Sequence, residues 1–181
     1  MIKRSAEKYI EKLSMYFPVI TIIGPRQSGK TTLAKLCFPG YQYCNLEDPD
    51  TRFFAENDPR AFLDKYNGTV ILDEVQRVPS LLSFIQTTVD KQKKNADFIL
   101  TGSHQPQLAQ AISQSLAGRS GILRLYPFTQ SEISEYIKKF SSFSLCLKGF
   151  YPVIHSENVP PSLFYPNYYQ TYLERDIRQL V

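Results

Sequence analysis

Residues 24–32 read Gly-Pro-Arg-Gln-Ser-Gly-Lys-Thr-Thr, so a glycine is followed, after four residues, by Gly29, Lys30 and Thr31. That is the G-x-x-x-x-G-K-[ST] spacing of a loop that cradles phosphate. Its chemistry follows from the residue types. Glycines let backbone N–H groups turn inward toward an anion, and a helix starting at the end of the loop adds its positive dipole end. Lys30 is placed to reach the terminal phosphates, and the Thr31 hydroxyl to ligate Mg²⁺. The candidate nucleotide-binding set is Gly24, Pro25, Arg26, Gln27, Ser28, Gly29, Lys30, Thr31 and Thr32, with Arg26 read as a solvent-facing loop residue. A chance match in a glycine turn would not need a strand before it and a helix after it. Here Pro18-Val19-Ile20-Thr21-Ile22-Ile23 is an apolar, β-branched run, and Thr32-Leu33-Ala34-Lys35-Leu36 continues as a helix.

A second set of candidates stands at Asp73-Glu74, behind the apolar run Val70-Ile71-Leu72. A carboxylate at the C-terminal end of a buried strand lies where ligands bind in open α/β sheets. In a phosphate-loop protein Asp73 holds the metal, directly or through water, while Glu74 orients and polarises a water for in-line attack on the γ-phosphate. Two further groups have two readings each. Thr101, Ser103 and His104 follow another apolar run, and a polar turn there caps the next helix or faces bound phosphate. Arg119 stands between a helix and a strand, and is a structural arginine bonding a loop carbonyl or carboxylate, or a catalytic group.

These residues need elements to position them, and the chain supplies an alternation. Strands are expected at 18–23, 41–46, 69–72, 97–100 and 121–126. Two short helices broken at Asp58-Pro59 fill 48–66, Asn67-Gly68 is a turn, and a helix runs from Pro79 to the cluster Lys91-Gln92-Lys93-Lys94. A polar helix covers 105–116, and Thr129-x-x-Glu132 is a capping-box signal for a helix through Ile137. Strands that are apolar almost throughout, alternating with helices, mean an α/β fold with a parallel sheet buried on both faces.

Domain organisation divides at about residue 140: a core over 1–140, then 141–181 with prolines at 152, 160, 161 and 166 and clustered tyrosines. Its last segment, 168–181, places Tyr169, Leu173, Ile177 and Leu180 on one helical face and a Glu174/Arg178 pair on another. The segment carries no stop signal, so a continuation beyond it is expected.

With 181 residues, 43% hydrophobic and 21% charged, the chain is of ordinary globular composition and long enough for one α/β domain with a small appendage. A net charge of +4 is mild, and its lysine cluster suits a helix C-terminus better than a nucleic-acid site. Three cysteines without a C-x-x-C pair fit reduced cytoplasmic thiols. No run approaches the ~20 apolar residues of a membrane span, and the apolar stretch at 17–23 leads straight into the phosphate loop rather than to a signal-peptide cleavage site.

The motifs at 24–32, Leu-Asp-Glu-Val-Gln-Arg at 72–77, Leu-Thr-Gly-Ser-His-Gln at 100–105, Ser-Leu-Ala-Gly-Arg at 115–119 and Tyr-Leu-Glu-Arg-Asp-Ile-Arg at 172–178 together resemble the prokaryotic AAA-domain ATPases. The resemblance covers essentially the whole chain. It implies a P-loop NTPase with a five-stranded parallel sheet in the order 5-1-4-3-2, the strand after Asp73-Glu74 inserted beside the phosphate-loop strand, and a partial helical lid at the C-terminus. It implies Mg-ATP binding and hydrolysis, with Thr31 and Asp73 holding Mg²⁺ and Glu74 polarising water. Ser103 would sense the γ-phosphate, and Arg119 would be an arginine finger, acting in cis or in trans. It also implies a further C-terminal domain, similar to winged-helix and nuclease-like modules, through which DNA or a protein partner would be handled. Related ATPases carry Gly-Gly-x-Pro at a lid hinge, where this chain has Gly149-Phe150-Tyr151-Pro152. Two other readings stay open: a nucleotide-dependent switch or scaffold with little turnover, and a small-molecule kinase.

Overall fold

The apolar runs become five strands: β1 (Val19–Gly24), β2 (Gln42–Asn45), β3 (Val70–Asp73), β4 (Phe98–Ser103) and β5 (Ser120–Arg124). The structure is a computed structural model, and it describes residues 2–66, 69–92, 94–103, 106–138 and 140–173. The strands pair in the order β2-β3-β4-β1-β5, every neighbour parallel, so β4 is inserted between β3 and β1. This is the expected order. Alternate side chains divide between two cores. Val19, Ile23, Val70, Leu72, Phe98 and Leu100 face one, and Ile20, Ile22, Ile71, Ile99, Leu123 and Leu125 face the other. Burial on both faces is what makes the strands read as continuous apolar runs.

Helices α3 (Pro49–Asn57), α4 (Pro59–Asp64), α5 (Leu81–Gln92) and α6 (Pro106–Ser115) supply Ala55, Phe62, Leu63, Leu81, Leu82, Ile85, Val89, Leu108 and Ile112 to the first core. The second is closed by α1 (Glu7–Tyr16), through Ile10 and Leu13, and by α2 (Lys30–Cys37), through Leu33 and Ala34. The expected break at Asp58-Pro59 has a local cause. Asp48 and Asp58 each accept a backbone N–H three residues on, from Thr51 at 2.9 Å and Ala61 at 3.0 Å, and each precedes a proline in the first turn.

Within the sheet-bearing part the structure departs from the expected elements at α1, β4 and β5. Helix α1 was not anticipated: only Ile10 and Leu13 in it are buried, and its other residues read as polar or mixed. Strand β4 continues through Thr101-Gly102-Ser103, because its backbone pairs with Ile22, Ile23 and Gly24 to the end of β1. Strand β5 stops at Arg124, two residues short of the expected end at Tyr126.

The chain forms two compact units, one comprising Ser5–Pro25 with Lys30–Leu125, which holds the sheet. The other, among the described residues, comprises 2–4, Arg26–Gly29, 126–138 and 140–173. In this smaller unit the capping box forms as expected: the Thr129 N–H donates to Glu132 at 2.9 Å and the Glu132 N–H to the Thr129 hydroxyl at 3.3 Å. The helix behind it is short, α7 (Ser134–Ile137), and is followed by α8 (Ser142–Lys148), α9 (Pro152–Ser156) and α10 (Pro161–Tyr168). Gly149 closes α8 at φ 68°, and a Cβ there would meet the Tyr165 hydroxyl, so only glycine fits the first position of the expected hinge. Phe150, at its second position, accepts a hydrogen bond from the Phe128 N–H through its carbonyl at 2.9 Å. Tyr169–Leu173 is a π-helical turn after Pro166 rather than the start of a regular amphipathic helix. The expected turn at Asn67-Gly68 and the Glu174/Arg178 pair lie outside the described residues.

At the start of β4, Asp97 is only 1% exposed and neither carboxylate oxygen has a hydrogen-bond partner among the described residues. Burial raises its pKa, and Lys94, 3.3 Å away on an exposed stem, offsets this in part. A carboxyl raised on folding favours the fold most at acid pH and opposes it increasingly as pH climbs through the carboxylate range. Asp97→Asn should therefore melt about 2–5 °C above wild type at pH 7, with the gap closing toward pH 4. A gap independent of pH in thermal melts would contradict this assignment.

Candidate functional site

The loop leaving β1 alternates in backbone handedness. Gln27 (φ 58°) and Gly29 (φ 92°) are left-handed, Ser28 between them is not, and Lys30 opens helix α2. Such alternation turns successive N–H groups to one side and makes an anion-binding nest. A Cβ on Gly29 would have room, with its nearest neighbour at 3.6 Å, so the glycine is required by its positive φ. Lys30, at the helix start, is 5% exposed and donates from Nζ to the Pro25 carbonyl at 2.9 Å, across the base of the loop. Gly24 is the last residue of β1, paired with Ser103 of β4, while Thr31 and Thr32 lie in the first turn of α2.

The Thr31 hydroxyl lies 3.0 Å from each oxygen of Asp73 and shares its proton between them. Asp73 is 6% exposed and takes two more hydroxyl donors, Thr101 on its Oδ1 and Tyr43 on its Oδ2 at 2.7 Å. Tyr43 comes from the edge strand β2, and Lys35 of α2 stands 3.4 Å from its ring centroid. Burial, and after it the bond to Asp73, hold the Tyr43 phenol well above its ordinary pKa.

Glu74 leaves the strand at φ 56°, ψ 48°, a left-handed conformation that costs a non-glycine residue about 1–2 kcal/mol. Its N–H is taken by the Thr101 hydroxyl at 3.3 Å. Its carboxylate accepts from the Gln76 amide and, at 3.5 Å, from the Ser103 hydroxyl. Sequence therefore placed Thr31, Asp73, Glu74, Thr101 and Ser103 in one cluster, but not Tyr43 or Gln76. Tyr43 carried one signal, as the polar-tipped residue beside buried Cys44 in a strand running toward Asp73's end of the sheet. His104 lies outside the described residues.

Arg119 does not join this cluster. Its carbonyl accepts the Val19 N–H at 3.1 Å, which puts it at the amino-terminal edge of the sheet. The phosphate loop leaves from the opposite edge, and the five steps from Val19 to Gly24, at about 3.3 Å each, separate the two by roughly 17 Å. The guanidinium is turned onto Asp90 of α5, with Nε at 2.6 Å and Nη2 at 2.8 Å, while Nη1 donates to the Ala117 carbonyl at 3.1 Å. The expectation that Arg119 acts as a catalytic group on its own chain's nucleotide is thus corrected: in this chain it ties α5 to the turn before β5.

Thr31 and Asp73 offer hard oxygen donors, one hydroxyl and one carboxylate. Among the described residues, no group of three or more His, Cys, Asp or Glu side chains could enclose a metal. That set fits Mg²⁺, which takes one or two carboxylates and completes its shell with water and substrate phosphates.

A family model described as an AAA domain matches residues 16–134. The chain belongs to the AAA domain family. Its relatives include two uncharacterized mycobacterial proteins, Mb2031c of Mycobacterium bovis and Rv2008c of Mycobacterium tuberculosis, each 31% identical over 188 residues. The match takes in 98% of this chain and 40% of each relative, so the AAA domain described here spans less than half their length. Among solved structures it is similar to the Walker-type ATPase PABY2304 of Pyrococcus abyssi, with a TM-score of 0.54, 18% identity, and 93% of this chain and 63% of that one covered. AMPPCP-bound DnaA from Aquifex aeolicus gives a TM-score of 0.54 at 19% identity over 94% of this chain and 63% of its own. These likenesses show the P-loop NTPase fold. Among the described residues no helix of the AAA domain is long and apolar enough to cross a membrane.

The geometry at Arg119 makes a stability prediction. Arg119→Ala and Asp90→Asn should each lower the melting temperature slightly, by similar amounts, and the double variant should fall no further than either. Fully additive losses in the melts would show that the two side chains act through separate contacts.

Proposed function

We propose that this AAA domain binds ATP with Mg²⁺ and hydrolyses it to ADP and phosphate. The observation that carries the reading is the Thr31–Asp73 contact, which brings the helix after the phosphate loop and the end of β3 to one point with Glu74 beside it. The N–H groups of the loop and Lys30 hold the phosphates. Thr31 and Asp73 would hold Mg²⁺, which when bound supplies positive charge against the phosphate oxygens. Glu74 accepts a proton from water as that oxygen attacks the γ-phosphorus, and the bond to the bridging oxygen breaks, leaving its electron pair with ADP. Ser103 and Thr101 position Glu74 through their hydroxyls.

Gln76 favours a second reading, a nucleotide-dependent switch with slow turnover, because its amide occupies a Glu74 oxygen that would take the proton. Both readings place the domain in the cytoplasm, in keeping with its three free cysteines, and both couple nucleotide state to a C-terminal effector that handles DNA or protein.

Glu74→Gln separates chemistry from binding. The amide keeps the shape but takes no proton, so Mg-ATP affinity should stay within about threefold while turnover falls by roughly 10²–10⁴. Undiminished phosphate release in a steady-state assay would move the base elsewhere. Turnover already negligible in the wild type, with tight binding, would favour the switch.

A further inference from the structure

Arg4 is a charged side chain with no place in the mechanism so far, yet it is only 8% exposed. Buried arginines are held by what they touch. Here Nη1 donates to the Ser28 carbonyl at 3.0 Å, and Nη2 to the Tyr126 carbonyl at 2.7 Å and the Pro127 carbonyl at 3.4 Å. Nε donates to Glu132 at 3.2 Å, and the guanidinium carbon lies 4.8 Å from the Phe128 ring centroid. Glu132 is the residue that also closes the capping box on Thr129, so its carboxylate is fixed from both sides.

The contact that matters is the one to Ser28. A trans peptide is planar, and its C=O and N–H point in opposite directions. Drawing the Ser28 carbonyl onto Arg4 therefore aims the Gly29 N–H away from Arg4, to the side on which a nest presents its amides. A second loop carbonyl is held in the same manner: the Tyr168 hydroxyl donates to the Arg26 carbonyl at 3.3 Å and receives the Tyr151 hydroxyl at 3.1 Å, which sets the Gln27 N–H. The two tied carbonyls flank Gln27, and the two amides they orient belong to the loop's left-handed residues. Free in solution, a glycine-containing loop samples many such orientations, and fixing them before the ligand arrives removes an ordering cost from binding.

We propose that Arg4 is a positioning residue for the nucleotide, its planar fork locking the Ser28–Gly29 peptide so that the phosphate-binding amide is preformed. This rests on the reading that the loop binds ATP. The fork is needed because one group must reach three carbonyls and a carboxylate at once; an ammonium carries the same charge without that geometry.

The test is calorimetric titration of Mg-ATP and Mg-ADP into the wild-type chain, Arg4→Met and Arg4→Lys, each below its own melting temperature, with steady-state kinetics beside it. Arg4→Met should weaken both nucleotides by roughly ten- to a hundredfold and raise KM while leaving kcat at saturating ATP nearly unchanged. Arg4→Lys should fold and remain roughly tenfold or more weaker than wild type, and it decides the matter if Arg4→Met does not fold. Affinity within about twofold of wild type in Arg4→Met, whatever its melting temperature, overturns the inference. Wild-type affinity in Arg4→Lys overturns it too, by assigning the effect to charge alone. Should the wild type bind neither nucleotide, the ATP reading itself fails and this inference falls with it; tight wild-type binding matched by both variants defeats the inference only.

Discussion

A carboxylate taken out of water must be met by donors or by a cation, and in this chain that requirement falls on Asp73. It is nearly inaccessible, and it accepts hydroxyls from Thr31 of α2, Tyr43 of β2 and Thr101 of β4 while sitting at the end of β3. Removing any of these leaves a buried charge short of a partner, which is more costly than losing an ordinary hydrogen bond. One buried group thus joins three strands and the first turn of a helix. It also makes the site asymmetric in energy. Hydroxyls satisfy the carboxylate without metal, and under the proposed function a divalent cation brought with nucleotide would satisfy it better.

Thr101 links that constraint to Glu74. Its single hydroxyl donates to Asp73 and accepts from the Glu74 N–H, so the buried charge and the strained left-handed turn are held through one atom. Strain at such a position persists only where the surroundings over-determine it. Here a side chain from the neighbouring strand does so, and the Glu74 carboxylate is delivered to Gln76 and Ser103 instead of continuing along β3.

The fold was legible because strands buried on both faces leave an unbroken apolar signature, as in Val70-Ile71-Leu72 and Phe98-Ile99-Leu100. The phosphate loop and Asp73-Glu74 were legible because their chemistry is local in sequence. Helix α1 was not, since two buried side chains suffice to dock it. Arg4 and Tyr43 were not, because their partners lie 24 to 128 and 30 residues away and only the folded chain joins them. Arg119 differs from these. Chain order alone places a residue that precedes a parallel strand at the amino edge of the sheet, opposite the phosphate loop, and that information outweighs its position between a helix and a strand.

The central claim is that the loop at 24–32, with Asp73, is a Mg-nucleotide site, and titration of ATP with Mg²⁺ into the wild type and Lys30→Ala tests it most directly. The account predicts saturable binding by the wild type and a loss of roughly a hundredfold or more in the variant, whose loop lacks the cation directed at the β- and γ-phosphates. Equal affinity in the two proteins would contradict it.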